Sequence, residues 1–163
     1  MELYLIRHAD AAALGEQGIT EDEARPLTEA GRLQAVQLAR ALQKRKVKLD
    51  LVLASPLVRT VQTAEGMLRT WSGPAPDYRP CEKLRPETRA KKLARRLGDL
   101  EVNAVALVGH QPFLAHYLGW FIGSKKAQVD IAKAGIACVS FPEKVGKGQG
   151  TLLWLVTSAW QSD

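Results

Sequence analysis

The residues of this chain best suited to chemistry are two histidines and two arginines, each placed just after an apolar run. Arg7 and His8 follow residues 3–6, with Asp10 two positions on; Arg59 follows residues 51–54 and the pair Ser55-Pro56; His110 follows residues 104–109. An unprotonated imidazole is a nucleophile, and the planar fork of arginine binds two oxygens of a phosphate while staying charged. Brought together, two of each make a pocket for a dianion. In such a pocket the charge that a transferring phosphoryl group spreads over its three equatorial oxygens meets cations aimed there in advance. On this reading His8 attacks phosphorus, Arg7 and Arg59 hold the phosphoryl group, and His110 completes the clamp as a cation or an N–H donor. Asp10 is the candidate proton donor or water activator, with a turn-capping aspartate as the plain alternative. The chemistry needs no metal or cofactor, and none is expected.

These groups converge only if the runs before them are neighbouring strands. Residues 2–7, 49–55 and 104–110 are short, aliphatic and continuous, as in strands buried on both faces. Residues 9–25 carry Gly15, Gly18 and many acids without periodicity, so they read as a loop over the first strand end. Pro26-Leu27-Thr28-Glu29 opens a helix with Leu33, Val36, Leu38 and Leu42 as its apolar stripe and Lys44, Arg45 and Lys46 at its carboxyl end. Ser55-Pro56 starts a second helix that runs to about residue 69 and holds Arg59 near its first turn. A turn-rich break at 71–76, a short strand at 77–81 and a basic helix from about 87 to 97 follow, with Leu93 and Leu97 facing inward. Pro112 begins a helix to about residue 122, within which His116 is expected to pack. Residues 134–141 and 151–157 form two strands joined in a hairpin-like way. Strands alternating with helices imply a three-layer α/β/α sandwich with a mostly parallel, mixed central sheet. Its strand ends are where open α/β sheets take ligands. Residues 1–163 are expected to form a single domain.

Composition narrows the classes further. Hydrophobic residues are 46% of the 163 and charged ones 25%, as in soluble globular proteins. The longest apolar segment, 113–123, is too short for a bilayer span of roughly 20 residues. The chain begins directly in a strand, without the basic and apolar regions of a signal peptide. Cys81 and Cys138 are far apart and lack metal-site spacing, so they read as reduced thiols of a cytoplasmic protein that fill small apolar spaces. The net charge is +6, and residues 83–96, with seven cations against the single acid Glu87, carry a surplus equal to it. A solvated helix face is the plain reading; a docking surface for an acidic partner is the functional one. The absence of interleaved aromatic residues argues against nucleic acid.

The motifs also carry a family resemblance. Leu5-Ile6-Arg7-His8-Ala9 resembles the RHG signature of the histidine phosphatase superfamily, which includes the cofactor-dependent phosphoglycerate mutases. Residues 26–31 resemble its LTxxG helix start, residues 55–64 its SPLxRxxQTA segment, and residues 108–112 its second-histidine motif. The resemblance implies a phosphoglycerate mutase-like fold, a phosphohistidine intermediate on His8, and phosphoryl binding by Arg7, Arg59 and His110. Alanine stands at position 9 where the family usually has glycine, and its Cβ fits if the backbone there is ordinary. The longer segment that carries a glutamate general acid in the mutases is short here, with Glu82 and Glu87 in roughly that region. Short length and the Arg-His-x-Asp-Ala start resemble the SixA-type branch of protein phosphohistidine phosphatases. The expected substrate is therefore a phosphorylated protein, such as a histidine-phosphotransfer domain. A small phosphorylated metabolite is the alternative within the superfamily. A non-catalytic phosphate- or phosphoprotein-binding module is the alternative outside enzymes.

Overall fold

The computed structural model describes residues 1–124 and 126–161. Strands and helices alternate as β1 (Glu2–Arg7), α1 (Glu29–Lys44), β2 (Leu51–Ala54), α2 (Val58–Thr70), β3 (Asp77–Pro80), α3 (Ala90–Gly98), β4 (Ala104–Gly109), α4 (Phe113–Phe121), β5 (Ile136–Ser140) and β6 (Thr151–Val156). The sheet order is β3-β2-β4-β1-β5-β6. β1, β4, β2 and β3 run parallel, while β5 is antiparallel to both β1 and β6. The sheet is therefore mixed, as the closing hairpin requires.

The three central strands are apolar along their middles because both their faces are covered. Leu3, Leu5, Leu51, Leu53, Val105 and Leu107 point to one side, against Leu93 and Leu97 of α3 and Leu114, Tyr117 and Phe121 of α4. Tyr4, Ile6, Val52, Ala54, Ala106 and Val108 alternate to the other, against Leu38 and Leu42 of α1 and Ala64 and Met67 of α2. Two-residue side-chain periodicity thus feeds two cores from one set of strands. Pro80, which cannot donate to a ladder, lies on the edge strand β3. No helix among the described residues is long and apolar enough to cross a membrane.

Three sequence expectations give way here. Leu33 does not belong to the buried stripe of α1 and is 62% exposed. The stripe runs through Gly31, Ala35, Leu38 and Leu42, and at 3.6 residues per turn position 33 lies on the opposite side. His116 is exposed rather than packed within α4, and its ring meets Phe113 edge-on. Helix α2 also starts later than Pro56, with Leu57 as its N-cap.

The start of α1 has a specific physical origin. The Thr28 hydroxyl accepts from the Gly31 amide (3.0 Å) and donates to Asp10 Oδ2 (2.6 Å), so it caps the helix and ties it to the loop after β1. The Thr28 amide donates to the Asp10 carbonyl at 3.1 Å. Gly31 lets that carbonyl approach: a Cβ at position 31 would fall on the Asp10 oxygen, whereas one at Gly98 would meet nothing. Gly31→Ala is expected to lose about 1–3 kcal/mol through forced displacement, while Gly98→Ala gains about 0.4–1 kcal/mol from a stiffer unfolded chain. Urea unfolding midpoints of the two variants check this opposition of sign.

Candidate active site

The site forms where β1, β4 and β2 end side by side. Arg7 is paired with Gly109, and Ala54 with Val108, so the next residues, His8, His110 and Ser55, emerge together. The His8 amide donates to the Gly109 carbonyl at 3.0 Å and the Ser55 amide to the Val108 carbonyl at 3.0 Å, which extends the sheet by one residue under the site. Strand β4 lies between β1 and β2, and the chain changes faces of the sheet there. That is a topological switch point, where α/β sheets open a crevice. Ala9 is fully buried and its φ is not positive, so the methyl group causes no backbone strain.

The two imidazoles face each other with ring centroids 5.4 Å apart and planes inclined at 56°. His8 is 8% and His110 4% exposed. His8 Nδ1 lies 2.7 Å from the Ala9 carbonyl oxygen. A carbonyl has no proton to give, so Nδ1 must donate, and the lone pair of the neutral ring lies on Nε2. Burial, followed by the charges of Arg59 and Arg7, lowers the His8 pKa to about 4, against an opposing pull from the Ala9 carbonyl. His110 reaches the Ser55 hydroxyl through Nε2 at 2.9 Å, and burial and Arg59 lower its pKa to about 3. At neutral pH both rings are uncharged.

Each arginine is anchored at one end. Arg7 Nη1 donates to the Ile131 carbonyl at 3.0 Å, and Arg59 donates through Nη1 and Nη2 to the carbonyl and carboxylate of Asp22 at 2.7 and 2.9 Å. Three buried side-chain nitrogens among the described residues have no hydrogen-bond partner: Arg7 Nε, Arg59 Nε and His110 Nδ1. All three belong to the set that sequence reasoning nominates for a phosphoryl group. Unpaired buried polar atoms are rare because each costs about 1–3 kcal/mol. Their concentration on these three residues matches what an oxyanion would satisfy.

Asp10 does not fit the role of proton donor. Its carboxylate oxygens accept from Lys133 Nζ (2.5 Å) and from the Thr28 hydroxyl (2.6 Å), and these bonds hold its pKa below the usual carboxylate value. A carboxyl so held has no proton to give. It braces the loop against α1 instead. Glu82 accepts from Arg85 Nε at 2.7 Å, and Glu87 lies exposed at φ 69°.

Sequence reasoning missed Asp22, which sits on Arg59 and also receives Arg25 Nη1 at 2.9 Å. The Arg25 hydrogen bond, with help from Arg59, keeps Asp22 ionised. It arrives from a 3-10 turn (Asp22–Ala24) inside the stretch read as a plain loop. Thr63 was also missed; its hydroxyl accepts from the Ala9 amide at 3.1 Å and donates to the Arg59 carbonyl at 2.6 Å, binding the nucleophile loop to α2. Its place in the Gln-Thr-Ala run after Arg59 was the available signal. Lys133 and Ile131 carried none, since they come from a distant loop.

Comparison with known proteins shows the family and the fold. The family described as histidine phosphatase superfamily (branch 1) matches residues 3–85. An uncharacterised protein of a Picosynechococcus species is 34% identical over 140 residues, covering 83% of this chain and 82% of that protein. Phosphohistidine phosphatase SixA of Escherichia coli is 26% identical over 159 residues, 94% of this chain and 92% of its own. The structure of the protein histidine phosphatase SixA complexed with tungstate superposes with a TM-score of 0.82 at 25% identity, over 98% of both chains.

The buried neutral rings make acid stability a test of this geometry. The unfolded chain takes up protons at its histidines near the ordinary value of 6.5, whereas folded His8 resists protonation until about pH 4. Stability is therefore intact above pH 6.5 and falls as pH drops from 6.5 toward 4, by roughly 3 kcal/mol for His8 alone. Urea unfolding of wild type and His8→Asn at pH 7 and 4.5 is expected to show a clearly smaller loss in the variant; parallel losses would refute the buried neutral ring.

Proposed function

The chain belongs to the histidine phosphatase superfamily and is a SixA-like phosphatase; from that premise we propose that it hydrolyses phosphohistidine on a protein, with His8 as nucleophile. In the first step His8 Nε2 attacks phosphorus in line, the new N–P bond forms, and the bond to the substrate imidazole breaks. The departing nitrogen keeps the bonding pair and takes a proton from solvent. In the second step water attacks phosphorus, the bond to Nε2 breaks, and inorganic phosphate leaves. Arg7 and Arg59 receive phosphoryl oxygens through their unpaired Nε–H groups. His110 donates from Nδ1 when its Nε2 accepts from Ser55.

The observation that carries the substrate choice is that Asp10 and Asp22, beside His8 and Arg59, are both tied up as hydrogen-bond acceptors, while a third carboxyl, Asp130, stands exposed 3.9 Å from Arg7. Asp10 is held by Lys133 and Thr28, and Asp22 by Arg25 and Arg59. Expelling an alkoxide from a phosphate ester needs strong acid help, whereas imidazole, with a conjugate-acid pKa of about 6.5, departs with little. A pocket in which Asp10 and Asp22 cannot donate therefore suits N–P cleavage. Support comes also from the related SixA, named for phosphohistidine and solved with tungstate, a tetrahedral oxyanion like phosphate. The free buried thiols of Cys81 and Cys138 suit a reducing compartment such as the cytoplasm.

A small phosphate ester is the second reading. A cavity of about 660 Å³, lined among others by Gln111, Pro112, Trp120 and Asp130, lies beside Arg7 and could take an organic group. Assay of the purified protein on a phosphohistidine-bearing phosphotransfer domain and on a panel of phosphomonoesters separates the two. The expected result is a higher kcat/KM on the phosphodomain. Higher values on an ester would transfer the assignment to metabolites. For the nucleophile, His8→Asn is expected to lower turnover at least about a thousandfold, on the pattern of triad knock-outs. Rapid quench of wild type with a radiolabelled phosphodonor should trap acid-labile label that the variant lacks. Tight phosphoprotein binding without any trapped label would favour a non-catalytic module.

A further inference from the structure

Outside the site, the strongest unexplained feature is the cationic surface that begins where β3 ends. Around α3, Lys91, Arg95, Lys92, Arg96 and the N-cap Arg89 occupy one continuous half of the helix at about 100° per residue. Leu93, Ala94 and Leu97 occupy the other half and are buried. Lys83, in the preceding 3-10 turn (Glu82–Leu84), adds a sixth cation. Lys83, Arg89, Lys91, Lys92 and Arg95 are exposed. Among the described residues none of the six forms an ion pair, whereas the neighbouring Arg85 is paired with both Glu82 and Glu23. Six like charges outside any ion pair repel one another, with Glu82 and Glu87 beside Lys83 and Lys92, and Asp77 and Asp99 beside Arg96, as the acids around them; packing of the opposite half offsets that cost.

The position of this surface ties it to the reaction. The residue after β3, Cys81, donates its amide to the Ala54 carbonyl at 2.7 Å, so the basic segment leaves the sheet beside the start of the Arg59 helix. Arg85 Nη1 lies 2.6 Å from Glu23 Oε1, and the adjacent Asp22 lies 2.9 Å from Arg59. Two ion pairs thus join the phosphoryl clamp to the basic segment. Tyr117 donates to the Thr88 carbonyl at 2.9 Å and fixes the same segment to α4. A shallow hollow lined by Lys83, Arg85, Arg89 and Lys92, together with Glu82 and Glu87, opens between the turn and the helix.

We infer that the face formed by Lys83, Arg89 and the exposed half of α3 docks the acidic surface of the phosphorylated protein whose phosphohistidine enters the site. This deepens the proposed function and rests on it. A small N-phosphoryl compound reaches His8 without touching α3, whereas a folded domain presenting its histidine covers the rim. Opposite charge across that rim raises the encounter rate and orients the domain. Residues 83–96 contain no aromatic side chain on which a nucleobase could stack, which sets a protein ahead of single-stranded nucleic acid as the occupant.

The test compares wild type with a K91E/K92E/R95E variant on two probes. One is a phosphotransfer domain phosphorylated on histidine and carrying an acidic surface; the other is phosphoramidate. Glutamate is a good helix former, and circular dichroism verifies that α3 persists. Wild type should lose roughly tenfold in kcat/KM on the domain between 50 and 300 mM salt. The variant should be roughly tenfold slower on the domain at low salt, lack that salt dependence, and turn over phosphoramidate like wild type. Equal rates on the domain for both proteins would overturn the docking face and leave the phosphohistidine reading standing. No activity of wild type on the domain, with phosphoramidate turned over, would overturn both. Unchanged domain turnover together with salt-dependent DNA or anionic-vesicle binding that the variant abolishes would reassign the face to that ligand.

Discussion

Everything at the site depends on keeping two imidazoles uncharged while two guanidiniums stand beside them. A positive His8 would be repelled by Arg7 and Arg59 and would have no lone pair with which to attack. Burial is the leading cause of its lowered pKa, and the arginines add to it. The cations proposed to hold the phosphoryl group thus also favour the neutral form of the proposed nucleophile. Because the attacking atom is chosen by a main-chain carbonyl, that of Ala9, no other side chain has to orient the ring.

That constraint explains why the surroundings are so polar and yet so closed. Arginines at the carboxyl end of a buried sheet need anchors, and the loops provide them: Asp22 for Arg59, Ile131 for Arg7. The anchors leave the buried Nε of each guanidinium unpaired. The loop after β1 is in turn braced by Thr28, Gln34 and Lys133 around Asp10. An aspartate next to a reactive histidine looks like an acid catalyst, but here it is a brace, and a brace must be ionised to accept both hydrogen bonds.

The same logic shapes the chemistry toward a good leaving group. With Asp10 and Asp22 each committed to a cation, departure in the proposed reaction relies on the substrate, and an imidazole departs readily. On the docking proposal, the cationic rim beside β3 receives a large donor rather than a compact ester. The cavity beside Arg7 remains the feature that a small-ester enzyme would exploit.

The sequence by itself determined the strands, because a parallel strand buried on both faces has to be a continuous aliphatic run, and it determined His8, Arg7, Arg59 and His110, because each is attached to the end of such a run. The LTxxG start of α1 was legible too, since a cap and a close approach each demand a particular residue. The register of the α1 stripe was less so: Leu33 is apolar, yet a helix buries by angle and not by composition. Only the tertiary structure decided the roles of Asp10 and the place of Asp22, Ile131 and Lys133. Those depend on which loops meet, across 37 residues where Arg59 meets Asp22 and across 123 where Lys133 meets Asp10. Pairing energy of that kind leaves no local pattern. The chain shows which groups arrive at the sheet edge, and the fold decides which of them keep their protons.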